Sequence, residues 1–406
     1  MRLSDRIARL GTETAFEVLV RARALEAQGK SVVHLEIGEP DFDTPPHVCE
    51  AACEALRAGA THYGPSAGLP ELREAVAEDS MKRRGGRATP EMVVVTPGGK
   101  PIMFFAILAL VDPGDEVLYP NPGFPIYESM IRYIGGVPVP VRLLEEKGFA
   151  LDVDQLCDKV GPRTRLIVLN YPHNPTGGVV PEAGLRAIAD VAARWGVPVL
   201  SDEIYSRILY DTPHVSIAAM PGMEPLAIVL DGFSKTYAMT GWRLGYGIMP
   251  ASLAQVVARL QTNATSCTAT ATQIAGVAAL RGDQSPVDRM VRELRRRRDA
   301  IVEGLRSLPG FQCARPRGAF YAFPNITRTG WSSRALADKL LEEAGVACLS
   351  GTAFGEFGEA HLRFSYANSM ENIQEALGRI RAWLERPAGG GSETRRAQEE
   401  LAASRG

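Results

Sequence analysis

Residues 165–205 read RLIVLNYPHNPTGGVVPEAGLRAIADVAARWGVPVLSDEIY, two continuous apolar runs with an amphipathic stretch between them. The runs at 165–170 and 197–201 are strand-length, with continuous apolar stretches at 166–169 and 197–200, and 185–195 has helical spacing. Strands without polar alternation belong to a mostly parallel sheet covered on both faces. The same alternation extends outward. Strands are expected at 92–97, 116–119 and 227–231, and helices at 100–110 and 125–134. An α/β architecture follows, a large domain with a mostly parallel sheet flanked by helices. Beyond residue 250 the pattern changes to long helical stretches at 252–281 and 286–305, short strands near 319–323 and 345–348, and a helix at 370–384. With an N-terminal helix at 13–28 these form a smaller α+β domain. The expected division is 40–285 for the large domain, 1–39 with 286–385 for the small one, and a tail at 386–406 without apolar periodicity.

The rest of the composition excludes several classes. The 406 residues carry 45 Lys+Arg against 47 Asp+Glu, a net charge of −2. Such a balance has no bulk positive field to hold nucleic acid or an anionic membrane. No apolar run has the length of a membrane span, and the charged N-terminus lacks the apolar segment of a signal peptide. The six cysteines, at 49, 53, 157, 267, 313 and 348, are too scattered for a disulfide framework. A cytoplasmic protein with reduced thiols is expected. His47, Cys49 and Cys53 lie in a helical pattern with no second ligand pair, so no metal site is expected. The run Arg295 to Arg298 is flanked by Glu293 and Asp299 and reads as a solvated helix face.

Ligands of open α/β sheets bind beyond the carboxyl ends of the strands, and these ends carry unusual residues. The 92–97 strand leads into Gly98-Gly99-Lys100 and a helix, where backbone N–H groups and the helix dipole can meet an anion. The 165–170 strand leads into a loop with two prolines and a glycine around Asn174. Ser201-Asp202-Glu203-Ile204-Tyr205 closes the next strand. Gly232-Phe233-Ser234-Lys235 closes the one at 227–231, and Arg243, next to Trp242, lies eight positions after Lys235. A lysine partly removed from water can be neutral near pH 7 and add to carbonyls; Arg243 offers a second cation for a phosphate.

Together, Asn-x-x-x-Asn-Pro-Thr-Gly at 170–177, Ser-Asp-Glu-Ile-Tyr at 201–205 and Ser-Lys-x-x-x-Met-Thr-Gly-Trp-Arg-x-Gly-Tyr at 234–246 resemble the class I/II aminotransferases. These are fold type I enzymes dependent on pyridoxal 5′-phosphate (PLP), and the resemblance runs from about residue 30 to 385, in the family's order. It implies that Lys235 carries PLP and acts as the catalytic base, that Asp202 pairs with the pyridinium nitrogen, and that Asn174 and Tyr205 bond the phenolic oxygen. It further implies that Gly99, Lys100, Ser234 and Arg243 hold the phosphate and that Phe124 stacks on the ring, where many aspartate-type members carry Trp. Arg363 matches the arginine that clamps the substrate α-carboxylate, and Gly38 a glycine whose backbone lies against it. Tyr63 matches a tyrosine that reaches the neighbouring subunit's phosphate, so a homodimer is implied.

The implied activity is transfer of an amino group from an L-amino acid to a 2-oxo acid by a ping-pong mechanism, nearest to the aspartate aminotransferase-like branch. A PLP-dependent lyase, such as a C–S β-lyase, is the competing reaction on the same cofactor, because fold does not fix reaction type. In that branch Lys100 helps hold a distal carboxylate. The segment 14–18 lies near the substrate and brings Phe16 and Glu17; an inward-facing Glu17 would repel a dicarboxylate. His173, beside Asn174, could contact substrate or fill the loop.

Overall fold

The computed structural model describes residues 1–386; the expected tail at 386–406 lies, but for Arg386, outside the described residues. The central sheet has eight strands: β1 (Val93–Thr96), β2 (Glu116–Asn121), β3 (Val137–Leu144), β4 (Ala150–Leu151), β5 (Thr164–Asn170), β6 (Val199–Asp202), β7 (Ala227–Gly232) and β8 (Gly245–Ile248). Their spatial order is β1-β8-β7-β6-β5-β2-β3-β4. The block from β7 to β3 is parallel throughout. Strand β8 runs antiparallel between β7 and β1, and β4 is a short antiparallel edge.

Both faces are covered, as the apolar runs require. In β5, Leu166 and Val168 pack with Ile102, Met103 and Ile131 on one side, while Ile167 and Leu169 pack with Leu185 and Ile188 on the other. Successive side chains of a strand point to opposite faces, so each face needs its own apolar set. Strand β3 was not expected, because Pro138 and Pro140 interrupt its pattern. It tolerates them because over Val137–Val141 it pairs only with β2, an edge position where a missing N–H faces no partner.

A second group of elements carries a separate core. Val33–His34 pairs in parallel with Val346–Ala347, and Leu362–Ser365 lies between Tyr321–Ala322 and Leu349–Ser350 as an antiparallel sheet. The helices Ser285–Arg306 and Met370–Leu384 bury Leu294, Ile301, Ile373 and Ile380 against it. The N-terminal helix Thr14–Ala27 docks on this group through Ala22, beside Leu341 and Ala347.

Two expectations require correction. The stretch 252–281 is two helices, Ala251–Thr265 and Thr270–Arg281. Between them the chain turns aside at Ser266 (φ 63°), and Thr268 bonds the β1 carbonyl of Val95 and accepts from buried Gln273. Nor is the arginine run a solvated face. Four consecutive residues at 100° each encircle a helix, so two of them point inward. Arg298 is fully buried over the Tyr210 ring and bonds Asp211 and Asp299; Arg297 lies over Phe42 and bonds Asp41 and Glu293. Arg295 and Arg296 remain exposed. No helix among the described residues is long and apolar enough to cross a membrane.

Candidate active site

The carboxyl ends of the parallel strands, the Gly98-Gly99 turn and the strand Leu362–Ser365 open onto one cavity of about 480 Å³. Gly38, Gly99, Lys100, Phe124, Asn174, Asp202, Tyr205, Ser234, Lys235, Arg243 and Arg363 all line it. Tyr63 does not: it is 89% exposed, in the connection between the helices Pro46–Arg57 and Pro70–Arg84.

Lys235 is held just past β7, where buried Phe233 anchors the loop in the core. Its ammonium donates to the Gly38 carbonyl at 2.5 Å. Burial pushes its pKa down to about 8; Arg363 and Lys100 act in the same direction, while Glu39 and Glu13 oppose it. Gly38 is glycine for a local reason, since a Cβ there would collide with the Tyr321 hydroxyl. That hydroxyl shares a 2.7 Å hydrogen bond with Tyr205.

Asp202 ends β6 opposite Asn170 of β5. It is almost fully buried, and burial raises its pKa to about 6, with Asp231 and Glu203 pushing the same way. Two donors oppose the shift: Tyr127 Oη reaches Oδ2 at 2.6 Å, and the Ile204 N–H reaches Oδ1 at 3.2 Å. Asn170 ties this end together by donating to the Asp202 carbonyl and accepting from the Asn174 N–H.

Arg363 is buried between the rings of Tyr321 and Phe354, 4.6 and 5.0 Å from their centroids. One terminal nitrogen donates to Asn174 Oδ1 at 3.2 Å, the other to the Glu36 carbonyl, and Nε has no partner. Burial lowers its pKa, yet a guanidinium stays charged at any working pH. A buried cation fixed between two rings, bonded only to neutral oxygens, suits a planar carboxylate.

At the other wall, Thr96 Oγ1 bonds the Gly98 carbonyl and shapes the turn into the helix Lys100–Leu110. Gly98 has φ +87°, and a Cβ there would strike the Arg243 guanidinium. A cradle of N–H groups at a helix start, with Arg243 and Ser234 beside it, suits an anion such as phosphate. Phe124 forms the adjacent wall, edge-on to Tyr127 at 5.6 Å.

Sequence reading missed Tyr127, Tyr321 and Glu13. Tyr127 was visible only as part of the segment containing Phe124. Glu17 is exposed and does not line the cavity, so the acid of the N-terminal segment that does is Glu13. His173 is buried away from the cavity; its Nδ1 meets Thr176, and burial holds its pKa near 3. Filling the loop is therefore its structural part.

The family described as "Aminotransferase class I and II" matches residues 30–380. A probable aspartate/prephenate aminotransferase of Aquifex aeolicus is 41% identical over 94% of this chain and 98% of its own length. Aromatic-amino-acid aminotransferase 2 of Thermococcus litoralis is 40% identical, over 94% of this chain and 97% of its own length. The solved structure of Thermus thermophilus aspartate aminotransferase with maleate superposes with a TM-score of 0.90. It is 40% identical, and the match covers 94% of this chain and all of that one.

Proposed function

The chain belongs to the class I and II aminotransferases, and on that premise we propose that it moves the amino group of an L-amino acid to a 2-oxo acid with PLP as its cofactor. The reaction alternates two half-reactions at one site, a ping-pong cycle, and the chain adopts fold type I of this class. The observation that carries the reading is the meeting, in one cavity, of a lysine with pKa about 8, a buried carboxylate and a buried arginine without an anionic partner.

The residues fit the cofactor. The turn at Gly98-Gly99, Ser234 and Arg243 would hold its phosphate, Lys100 contributing through its backbone N–H. Phe124 would cover the ring, Asp202 would face its nitrogen, and Asn174 with Tyr205 would bond its phenolic oxygen. PLP, when bound, supplies an electron sink for the pair left behind when an amino acid loses its α-proton.

This chain's own residues do the rest. Arg363 clamps the α-carboxylate against the Gly38 backbone, with its plane fixed by Tyr321 and Phe354. Lys235 takes the α-proton and returns it; an amine with pKa about 8 is neutral often enough to accept a proton and acidic enough to give it back. Tyr127 holds Asp202 in place. Asp202 and Arg363 are themselves buried, which strengthens the charge interactions they make.

We further propose a homodimer in which Tyr63 serves the partner's phosphate. Its exposure and its absence from its own cavity support that reading. In this division 40–285 binds the cofactor and 1–39 with 286–385 carries the carboxylate-reading Arg363. All six cysteines are free thiols, which accords with a cytoplasmic enzyme.

The test is spectroscopic. PLP-loaded protein, mixed with L-amino acids and no acceptor, should lose its visible cofactor absorption, and a 2-oxo acid should restore it. Lys235→Ala should abolish the cycle. Steady ammonia release without an acceptor would overturn transfer in favour of elimination.

A further inference from the structure

Glu13 occupies an unusual position. It is the residue preceding the first turn of the helix Thr14–Ala27, yet its side chain makes no capping hydrogen bond. Caps at this position are normally Ser, Thr, Asp or Asn. Instead the carboxylate reaches into the cavity and ion-pairs with Lys100, leaving Glu13 mostly buried and Lys100 half exposed. Lys100 is itself badly placed for stability alone, since it opens the helix Lys100–Leu110, where the dipole disfavours a cation. Its ammonium stands 5.4 Å from the centre of the Phe124 ring. Glu13 also acts across the cavity: its charge favours the protonated forms of both Lys235 and Arg363.

The other cavity cations have assigned partners. Arg363 reads the α-carboxylate, Arg243 the phosphate, and Lys235 the reacting atoms. A second substrate carboxylate is left with Lys100, and Lys100 is already engaged. We propose that Glu13 sets the side-chain preference of this cavity: by occupying Lys100 it disfavours substrates with a second carboxylate relative to uncharged ones. Glu13 is thus a specificity residue, and this inference rests on the aminotransferase reading above. An acidic side chain has to displace Glu13 from Lys100 and then lie beside a freed carboxylate. An apolar or aromatic one meets a neutral ion pair and the Phe124 wall.

The experiment measures kcat/KM for L-aspartate and L-phenylalanine in the half-reaction of the PLP-loaded enzyme. Glu13→Gln should raise the aspartate-to-phenylalanine ratio about two- to fivefold, the scale of a partly exposed ion pair. Glu13→Asp, which keeps the charge, should stay close to the wild-type ratio. The proposal is overturned if Glu13→Gln leaves the ratio unchanged, or if Glu13→Asp raises it as much, since charge would then not be the cause. Failure of the wild type to convert any amino acid would instead remove the transfer reading, and this inference with it.

Discussion

Replacing Asp202 by Asn should make the cofactor-free protein more stable while disabling it. Burial lifts the Asp202 pKa from 3.8 to about 6. A carboxyl whose folded pKa lies above its unfolded value contributes a penalty that is absent below the unfolded pKa, grows as pH rises, and is complete above the folded one. Roughly two pKa units at 1.36 kcal/mol each make this penalty about 3 kcal/mol near pH 8. Asn removes the charge but keeps the shape. It offers one acceptor where Asp202 had two, and the Tyr127 hydroxyl can rotate to accept from the new amide. Allowing for an imperfect hydrogen bond, the net gain is about 1–3 kcal/mol near pH 8. Near pH 4.5 the wild-type side chain is mostly protonated in the folded state, and the gain should fall to about 1 kcal/mol or less. Urea unfolding midpoints of the two cofactor-free proteins at both pH values measure this directly. In parallel, turnover of the PLP-loaded variant should fall by about 100-fold or more, the scale of a lost electrostatic partner to developing charge. A variant less stable than wild type near pH 8, or equally favoured at both pH values, would refute the argument that a buried charge is being held there at a cost.

Two further substitutions test neighbouring parts of the site. Arg363→Ala should raise KM for every amino acid by a similar factor if it has its proposed role of reading the carboxylate they share; an effect confined to one donor would exclude that role. Tyr127→Phe removes the 2.6 Å donor to Asp202, worth about 1.5–3 kcal/mol to a charged acceptor. The carboxylate should then ionise only at higher pH, so the acid limb of the kcat profile should move up; an unmoved limb would reduce Tyr127 to packing.

The parts of this molecule that were legible in the sequence are those written locally. Strands β5 to β7 announce themselves because their middle residues, Leu166–Leu169, Val199–Leu200 and Ala227–Leu230, are apolar and buried on both faces, and the polar residues at their ends stand out against that background. Strand β3 was hidden because its prolines obey an edge rule that only the sheet order reveals. Arg298 reads as surface in a charged run and becomes core because Asp211 and Tyr210 arrive from a distant loop. The missed site contacts share this property: Tyr127 meets Asp202 across 75 positions, Glu13 meets Lys100 across 87, and Tyr205 meets Tyr321 across 116. No periodicity encodes such meetings; they follow from topology.

The three central charges have something in common that local reading could not supply. Lys235, Asp202 and Arg363 each have a pKa displaced by burial toward the neutral form. Each also lacks a full counter-ion, being bonded to carbonyls, amides or hydroxyls instead. A protein selected for stability alone would pair these groups or replace them with apolar ones. Holding them apart leaves a cavity whose charge pattern suits the proposed roles: Arg363 for a substrate carboxylate, Asp202 for a cationic ring nitrogen and Lys235 for a proton in transit. Binding in those roles would relieve the burial penalty that folding imposed. In the proposed roles that penalty would be returned as affinity and orientation, and the stabilising effect expected of Asp202→Asn is its measurable trace.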